Sequence, residues 1–168
     1  MNWIKALLLI TLLTGSQGLY SQELPPLKHV KLHKKSHFKA TEQLTLKVIE
    51  YLFDTPADKN NHSRAEAGEF LIKWMNGTPD FTFHLDEKET DFFNTDADLM
   101  LMYMAGLTKF TMANPSVKDQ KTLVLGTMNI VLPYFNQQEN KTSWPVSLWQ
   151  LNEAYQKGKL ETFLYGKR

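Results

Sequence analysis

From Thr41 onward the apolar positions recur at helical spacing. Leu44, Val48, Ile49 and Leu52 fall on one face of a 3.6-residue period, and Asp54-Thr55-Pro56 ends the run. After a polar stretch, Ser63-Arg64-Ala65-Glu66 has the form of a capping box, in which hydroxyl and carboxylate satisfy free amides reciprocally. Ala67, Phe70, Leu71 and Trp74 continue it as an apolar stripe, Gly77 stands where a left-handed C-cap is wanted, and Pro79 forbids continuation. Phe81, Phe83 and Leu85 alternate with polar residues, which predicts a brief extended segment rather than a sheet because no strand partner follows.

The second half of the chain repeats the helical pattern. Leu99, Met102, Tyr103, Gly106 and Phe110 predict a helix from Asp96 to Ala113, with Asn114-Pro115 as its stop. Gly106, unfavourable in a helix interior, points to close helix packing. The next helix is expected to begin at Ser116, to run through Leu123, Thr127 and Ile130, and to kink or end at Pro133. Pro145 to Lys157 reads as a further helix with Leu148, Leu151 and Tyr155 inward and Gly158 as terminator. Leu160, Phe163 and Leu164 make a final short turn over the bundle. The predicted fold is all-α, a single compact bundle of about five helices with an extended basic N-terminal arm.

What precedes the bundle changes the picture. Met1 to Lys5 is a short basic start, Ala6 to Leu13 an apolar run, and Ser16-Gln17-Gly18 places small residues around a cleavage site. The expected organisation is a signal peptide at 1–18, a basic arm at 19–40 and a helical domain at 41–168, exported to a periplasm or the exterior. The apolar run is far shorter than the roughly 20 residues that span a bilayer, so no transmembrane segment is expected in the mature chain. The 168-residue sequence has no cysteine, which excludes disulfides, a thiol nucleophile, an iron–sulfur or thiolate zinc site and a lipid-modified N-terminal cysteine. A cysteine-free exported chain fits a bacterial envelope better than a small disulfide-built secreted domain. Asn61, Asn76 and Asn140 head Asn-x-Ser/Thr triplets, which are glycosylation acceptors only in a eukaryotic secretory pathway.

Net charge is near zero but unevenly spread. Residues 19–39 carry five lysines against one glutamate, 40–101 five bases against thirteen acids, and 102–168 eight bases against four acids. A basic arm followed by an acidic middle predicts attraction between parts of one molecule, or a partner surface whose association depends on salt. Nucleic acid is not an expected partner of an exported chain with no net basic charge.

Three groups of residues could carry chemistry. His29, His33 and His37 are spaced by four, so a helix through the arm would present three imidazoles on one face, able to chelate Zn, Cu or Ni or to handle haem. Lys28, Lys31, Lys34, Lys35 and Lys39 surround them and oppose a dication, so metal is the alternative and the default is no cofactor. Asp86, Glu87, Glu89 and Asp91, followed by Asp96 and Asp98, form an acidic connector. Paired carboxylates serve hydrolases, but Met100 breaks a calcium-loop pattern and Asp96 and Asp98 suit a helix N-terminus. Met100, Met102, Met104 and Met112 make the Asp96–Ala113 helix apolar on most sides, so it is expected to be central or to offer an adaptable groove. Trp144, in a loop before Pro145, is the expected exposed aromatic anchor, and the acidic connector carries the Phe92-Phe93 pair.

Tyr103-Met104-Ala105-Gly106 and the helices after it resemble, in architecture alone, the small exported helical proteins of Gram-negative bacteria. That group includes immunity proteins that protect the periplasm from delivered toxins, and the resemblance implies no functional residue. The leading expectation is a non-catalytic binding module of the bacterial envelope that takes a protein or hydrophobic ligand through Asp86, Glu87, Glu89, Asp91, Phe92, Phe93 and Trp144. The alternatives are a metal- or haem-handling protein built on His29, His33 and His37, and a carboxylate-dependent hydrolase.

Overall fold

The computed structural model describes residues 24–58, 60–137, 140 and 144–166. The expected export signal at 1–18 lies outside them. A 3₁₀ turn at Leu27–His29 leads to α1 (Lys35–Ala40), α2 (Glu42–Asp54), α3 (His62–Gly77), the single turn α4 (Glu87–Thr90), α5 (Ala97–Ala113), α6 (Gln120–Phe135), α7 (Val146–Gln156) and α8 (Leu160–Tyr165). Five of these helices are of substantial length, and no strand occurs among the described residues. No helix among them is long and apolar enough to cross a membrane.

α5 takes the centre because it is apolar nearly all round. Leu99, Leu101, Met102, Tyr103, Ala105 and Leu107 are all buried, and α2, α3 and α6 pack against it. Its most extensive partner is α6, and the approach is made through glycines. A Cβ at Gly106 would overlap Val131 of α6, and a Cβ at Gly126 of α6 would overlap the Phe110 ring of α5. Each helix therefore receives a side chain of the other where it has none of its own.

Arg64 is the chief charged residue of the interior, at 1% exposure. Its Nη1 donates to the carbonyls of Leu52 (2.8 Å) and Thr55 (3.1 Å) and to the Thr55 hydroxyl (3.1 Å), at the carbonyl-rich C-terminus of α2. Nη2 lies 3.0 Å from Met102 Sδ, Nε lies 3.5 Å from Asp98 Oδ1, and the guanidinium rests 5.8 Å from the Tyr134 ring centroid. Tyr134 in turn donates its hydroxyl to the Thr55 carbonyl at 3.0 Å. One side chain thus touches α2, its own α3, α5 and α6.

Four local expectations are corrected. The cap of α3 is Asn61, whose Oδ1 accepts from the Arg64 amide at 3.1 Å, so Ser63 lies inside the helix and the capping box is not formed. Gly77 ends α3 without a left-handed backbone; it is small because the Phe38 ring occupies the place of its Cβ. The left-handed glycine is Gly158, at φ +66, between α7 and α8. α6 starts later than Ser116, because Asp119 is its cap and accepts from the Thr122 amide at 2.8 Å. It then runs through Pro133 to Phe135, because Pro133 and Asn129, whose carbonyl loses its partner, lie on the exposed side, where the missing bond is not a buried loss.

The arm is more ordered than its charge predicts. Leu27, Leu32 and Phe38 are buried in the main core, Lys28 Nζ sits 2.8 Å from Glu66 Oε1, and the Phe38 carbonyl accepts from Trp74 Nε1 at 3.2 Å. Helix begins at Lys35 rather than Thr41. These anchors are spaced by five and six residues, which matches neither a helical nor a strand period.

The α5–α6 contact sets a direct test. Gly106→Ala improves helix propensity by about 1 kcal/mol, yet it must displace a β-branched, fully buried Val131. The expected net result is destabilisation by about 1–3 kcal/mol in denaturant unfolding. Equal or greater stability would show that the two helices have room to separate.

Candidate binding site

The residues expected to form one partner surface are divided between surface and core. Asp86, Glu87 and Asp91 are exposed on and beside α4, and Phe92 is half-buried. Phe93 is fully buried, stacked on Tyr103 with centroids 4.9 Å apart and on Phe135 at 6.0 Å. Trp144, at 7% exposure, packs edge-on to Phe135. Its indole donates to the Asn140 carbonyl at 3.1 Å. The Asn140 amide is itself committed: Oδ1 accepts from the Ala57 amide at 3.0 Å and Nδ2 donates to the Tyr134 carbonyl at 3.1 Å. Phe93 and Trp144 are therefore core residues, not anchors for a partner. Among the described residues, Trp149, 46% exposed, is the indole that reaches solvent, 4.5 Å from the Trp144 ring.

Glu89 is also withdrawn, at 3% exposure. One carboxylate oxygen accepts the Tyr165 hydroxyl at 3.2 Å, and the other has no hydrogen-bond partner among the described residues. Tyr165 lies beneath the Lys88 ammonium, 4.4 Å from its ring centroid, while Lys121 pairs with Glu161 on the same flank. Phe92 meets Phe163 at 6.2 Å. These contacts fasten α8 over the acidic connector. Burial, and then the nearby carboxylate of Glu89, hold the phenols of both Tyr103 and Tyr165 above their ordinary range. Asp98, the other candidate acid, is the ion-pair partner of Arg64.

The three histidines do not share a face. His29 belongs to the 3₁₀ turn, His33 to the connection and His37 to α1, where His37 Nδ1 faces the His33 amide at 3.4 Å. No group of three His, Cys, Asp or Glu is placed to hold a metal ion among the described residues. The break follows from burying Leu27 and Leu32, which the chain achieves by turning between them rather than by continuing one helix.

A different site comes together at the far end of α3. Ile72, Met75 and Asn76 of α3, Thr78, Phe81, Thr82, Phe83 and Leu85 of the following segment, and Met104 of α5 line an open groove of about 290 Å³. Ile72 and Leu85, 41% and 46% exposed, are large apolar side chains left in water on its walls. The Thr78 hydroxyl oxygen is buried in its wall without a hydrogen-bond partner among the described residues. The methionine face of α5 and the alternating segment are both visible in the sequence. Their pairing with Ile72 and Met75 is not, since the only sequence signal of those two residues is that they sit off the main stripe of α3.

Two outcomes follow for the α4–α8 contact. Tyr165→Phe leaves the Glu89 carboxylate buried without any hydrogen bond and is expected to cost about 1–3 kcal/mol, most of it recovered in Glu89→Leu/Tyr165→Phe. An additive double-variant cycle in denaturant unfolding would show that the two groups do not interact. In alkali the unfolded phenols ionise near their ordinary 10.0 while the folded ones resist, so stability is complete below that pH and falls as pH rises through and above it. Tyr103→Phe/Tyr165→Phe should flatten the decline in thermal midpoint above pH 10.0, and an unchanged slope would contradict it.

Comparison of the chain with protein-family models, with curated proteins and with solved structures finds no match.

Proposed function

We propose that the protein is a non-catalytic binding module of the bacterial envelope, exported by Met1 to Gly18, and that it holds an apolar part of a partner in the groove between α3 and α5. The observation that carries this reading is the convergence of Ile72 and Leu85, both exposed, on one depression with Met75 and Met104. Large apolar side chains cost free energy in water, and a wall built partly of methionine adapts to the shape it meets. An open groove of about 290 Å³ suits a few side chains of a partner better than an enclosed cofactor. The acidic connector keeps a part in this reading through Asp86, Glu87 and Asp91, which remain exposed and would steer a basic partner. The metal and hydrolase readings have less support, because the histidines lie on three different segments and Glu89 and Asp98 are engaged in holding helices.

The test uses an environment-sensitive apolar dye. The protein should raise the fluorescence of 1-anilinonaphthalene-8-sulfonate, and Ile72→Asp/Leu85→Asp should abolish the rise while leaving the helical circular dichroism unchanged. Equal dye binding by the double variant would show that the groove is not the apolar site.

A further inference from the structure

The wall of the groove formed by residues 79–85 has an unusual backbone. It joins α3 to α4 without helix or strand, and no hydrogen bond links its amides or carbonyls to another described residue. Its side chains nonetheless alternate over four positions: Phe81 and Phe83 are half-buried and Thr82 and His84 exposed, and the alternation stops at Leu85, which is 46% exposed. Alternation with period two is the signature of an extended strand, and a strand at the surface with unpaired N–H and C=O groups is a template for another. The five residues Phe81 to Leu85 reach about 17 Å when extended, enough to pair with one short peptide segment.

Resting on the groove reading, we infer that the segment from Phe81 to Leu85 binds an extended, basic peptide by strand addition, pairing backbone to backbone while alternate apolar side chains of the peptide enter the groove beside Ile72, Met75 and Met104. Charge decides the occupant. Asp80 and Asp86 bracket the segment and Glu87 follows; all three are exposed, and Asp80 has Lys39 Nζ 4.0 Å from its carboxylate, so Asp86 and Glu87 carry most of the unpaired charge. A second copy of the same segment would bring these acids against their equivalents, and like charges across a strand pair are destabilising. A peptide with lysines or arginines between its apolar residues satisfies both the edge and its flanks, which is how strand-addition sites divide affinity from specificity. The Thr78 hydroxyl, buried in the groove wall without a partner among the described residues, adds a polar contact at the end where the segment leaves α3.

The probe is a fluorescein-labelled, end-blocked peptide of alternating lysine and valine, seven residues long, followed by anisotropy with the full chain. Two further peptides carry backbone N-methyl groups, on the valine amides alone or on the lysine amides alone. Only one of these sets can face the protein edge in an extended pair. The expected result is that one methylated peptide binds about tenfold or more weaker than the parent while the other stays within about threefold, and that a glutamate–valine peptide does not bind. Equal affinity of both methylated peptides, equal loss from both, or equal binding of the acidic peptide overturns the inference. No binding of the parent peptide by a protein that still binds 1-anilinonaphthalene-8-sulfonate overturns strand addition and leaves the groove standing. Loss of the dye in the native protein removes the groove reading itself. Ile72→Asp/Leu85→Asp is expected to lose both ligands, and Asp80→Asn/Asp86→Asn to weaken the peptide alone.

Discussion

A guanidinium buried among four helices is the constraint around which this bundle is organised. Taking Arg64 out of water costs several kcal/mol unless its charge and donors are met. Here the donors of Nη1 and Nη2 are met by the last carbonyls of α2, the Thr55 hydroxyl and a methionine sulfur, and the charge by an ion pair with the Asp98 carboxylate, while Nε has no hydrogen-bond partner among the described residues. Those partners exist only when α2, α3 and α5 adopt one arrangement, and Tyr134 of α6 shares the Thr55 carbonyl. The same contact settles a second difficulty, since the unpaired carbonyls at the end of α2 would otherwise be buried without donors. Methylene packing alone would tolerate small rotations of these helices. A directional cluster anchored at several fixed acceptors does not.

Around this cluster the apolar centre is built by removing side chains as much as by adding them. Gly106 and Gly126 let Val131 and Phe110 enter the facing helix, so the pair α5 and α6 sits closer than two continuous ridges of leucine would allow. Gly77 does the same for Phe38 and brings the arm onto the end of α3. Phe93, Tyr103, Phe135 and Trp144 then form a connected run of rings reaching from the acidic connector to the loop before α7. The residues that look like partner anchors in the chain are consumed in joining its peripheral loops to the core.

The helices were legible in the sequence because their information is local. Apolar spacing and stop residues located α2, α3, α5 and α7 nearly to the residue, and Asp96 was placed correctly as the cap of α5, where its carboxylate accepts from the Asp98 amide. What escaped depends on contacts distant in sequence. Trp144 is drawn inward by Asn140, which is held by Ala57, and nothing near position 144 records that link. Arg64 offered a signal that could have been used, since it falls in register with Ala67, Leu71 and Trp74 on the buried stripe of α3. A basic residue at such a position must find acceptors inside. The arm is a different case: three buried anchors at irregular spacing hold it to the core, but no period announces them.

The candidate site lies where this network of constraint ends. Arg64 and the rings hold the centre and the α2 end of α3, while the opposite end of α3 runs into a segment whose backbone pairs with no other described residue. Its side chains are only half withdrawn, so its position is maintained by Phe81 against Trp74 and by the walls of the groove rather than by hydrogen bonds. A backbone in that condition is costly if it is buried and hazardous if it is left apolar and uncharged at the surface. The acids at both of its ends resolve the hazard, because they oppose pairing between copies while favouring a partner of opposite charge. The same residues that would oppose pairing between copies are thus the ones that would choose what the segment binds.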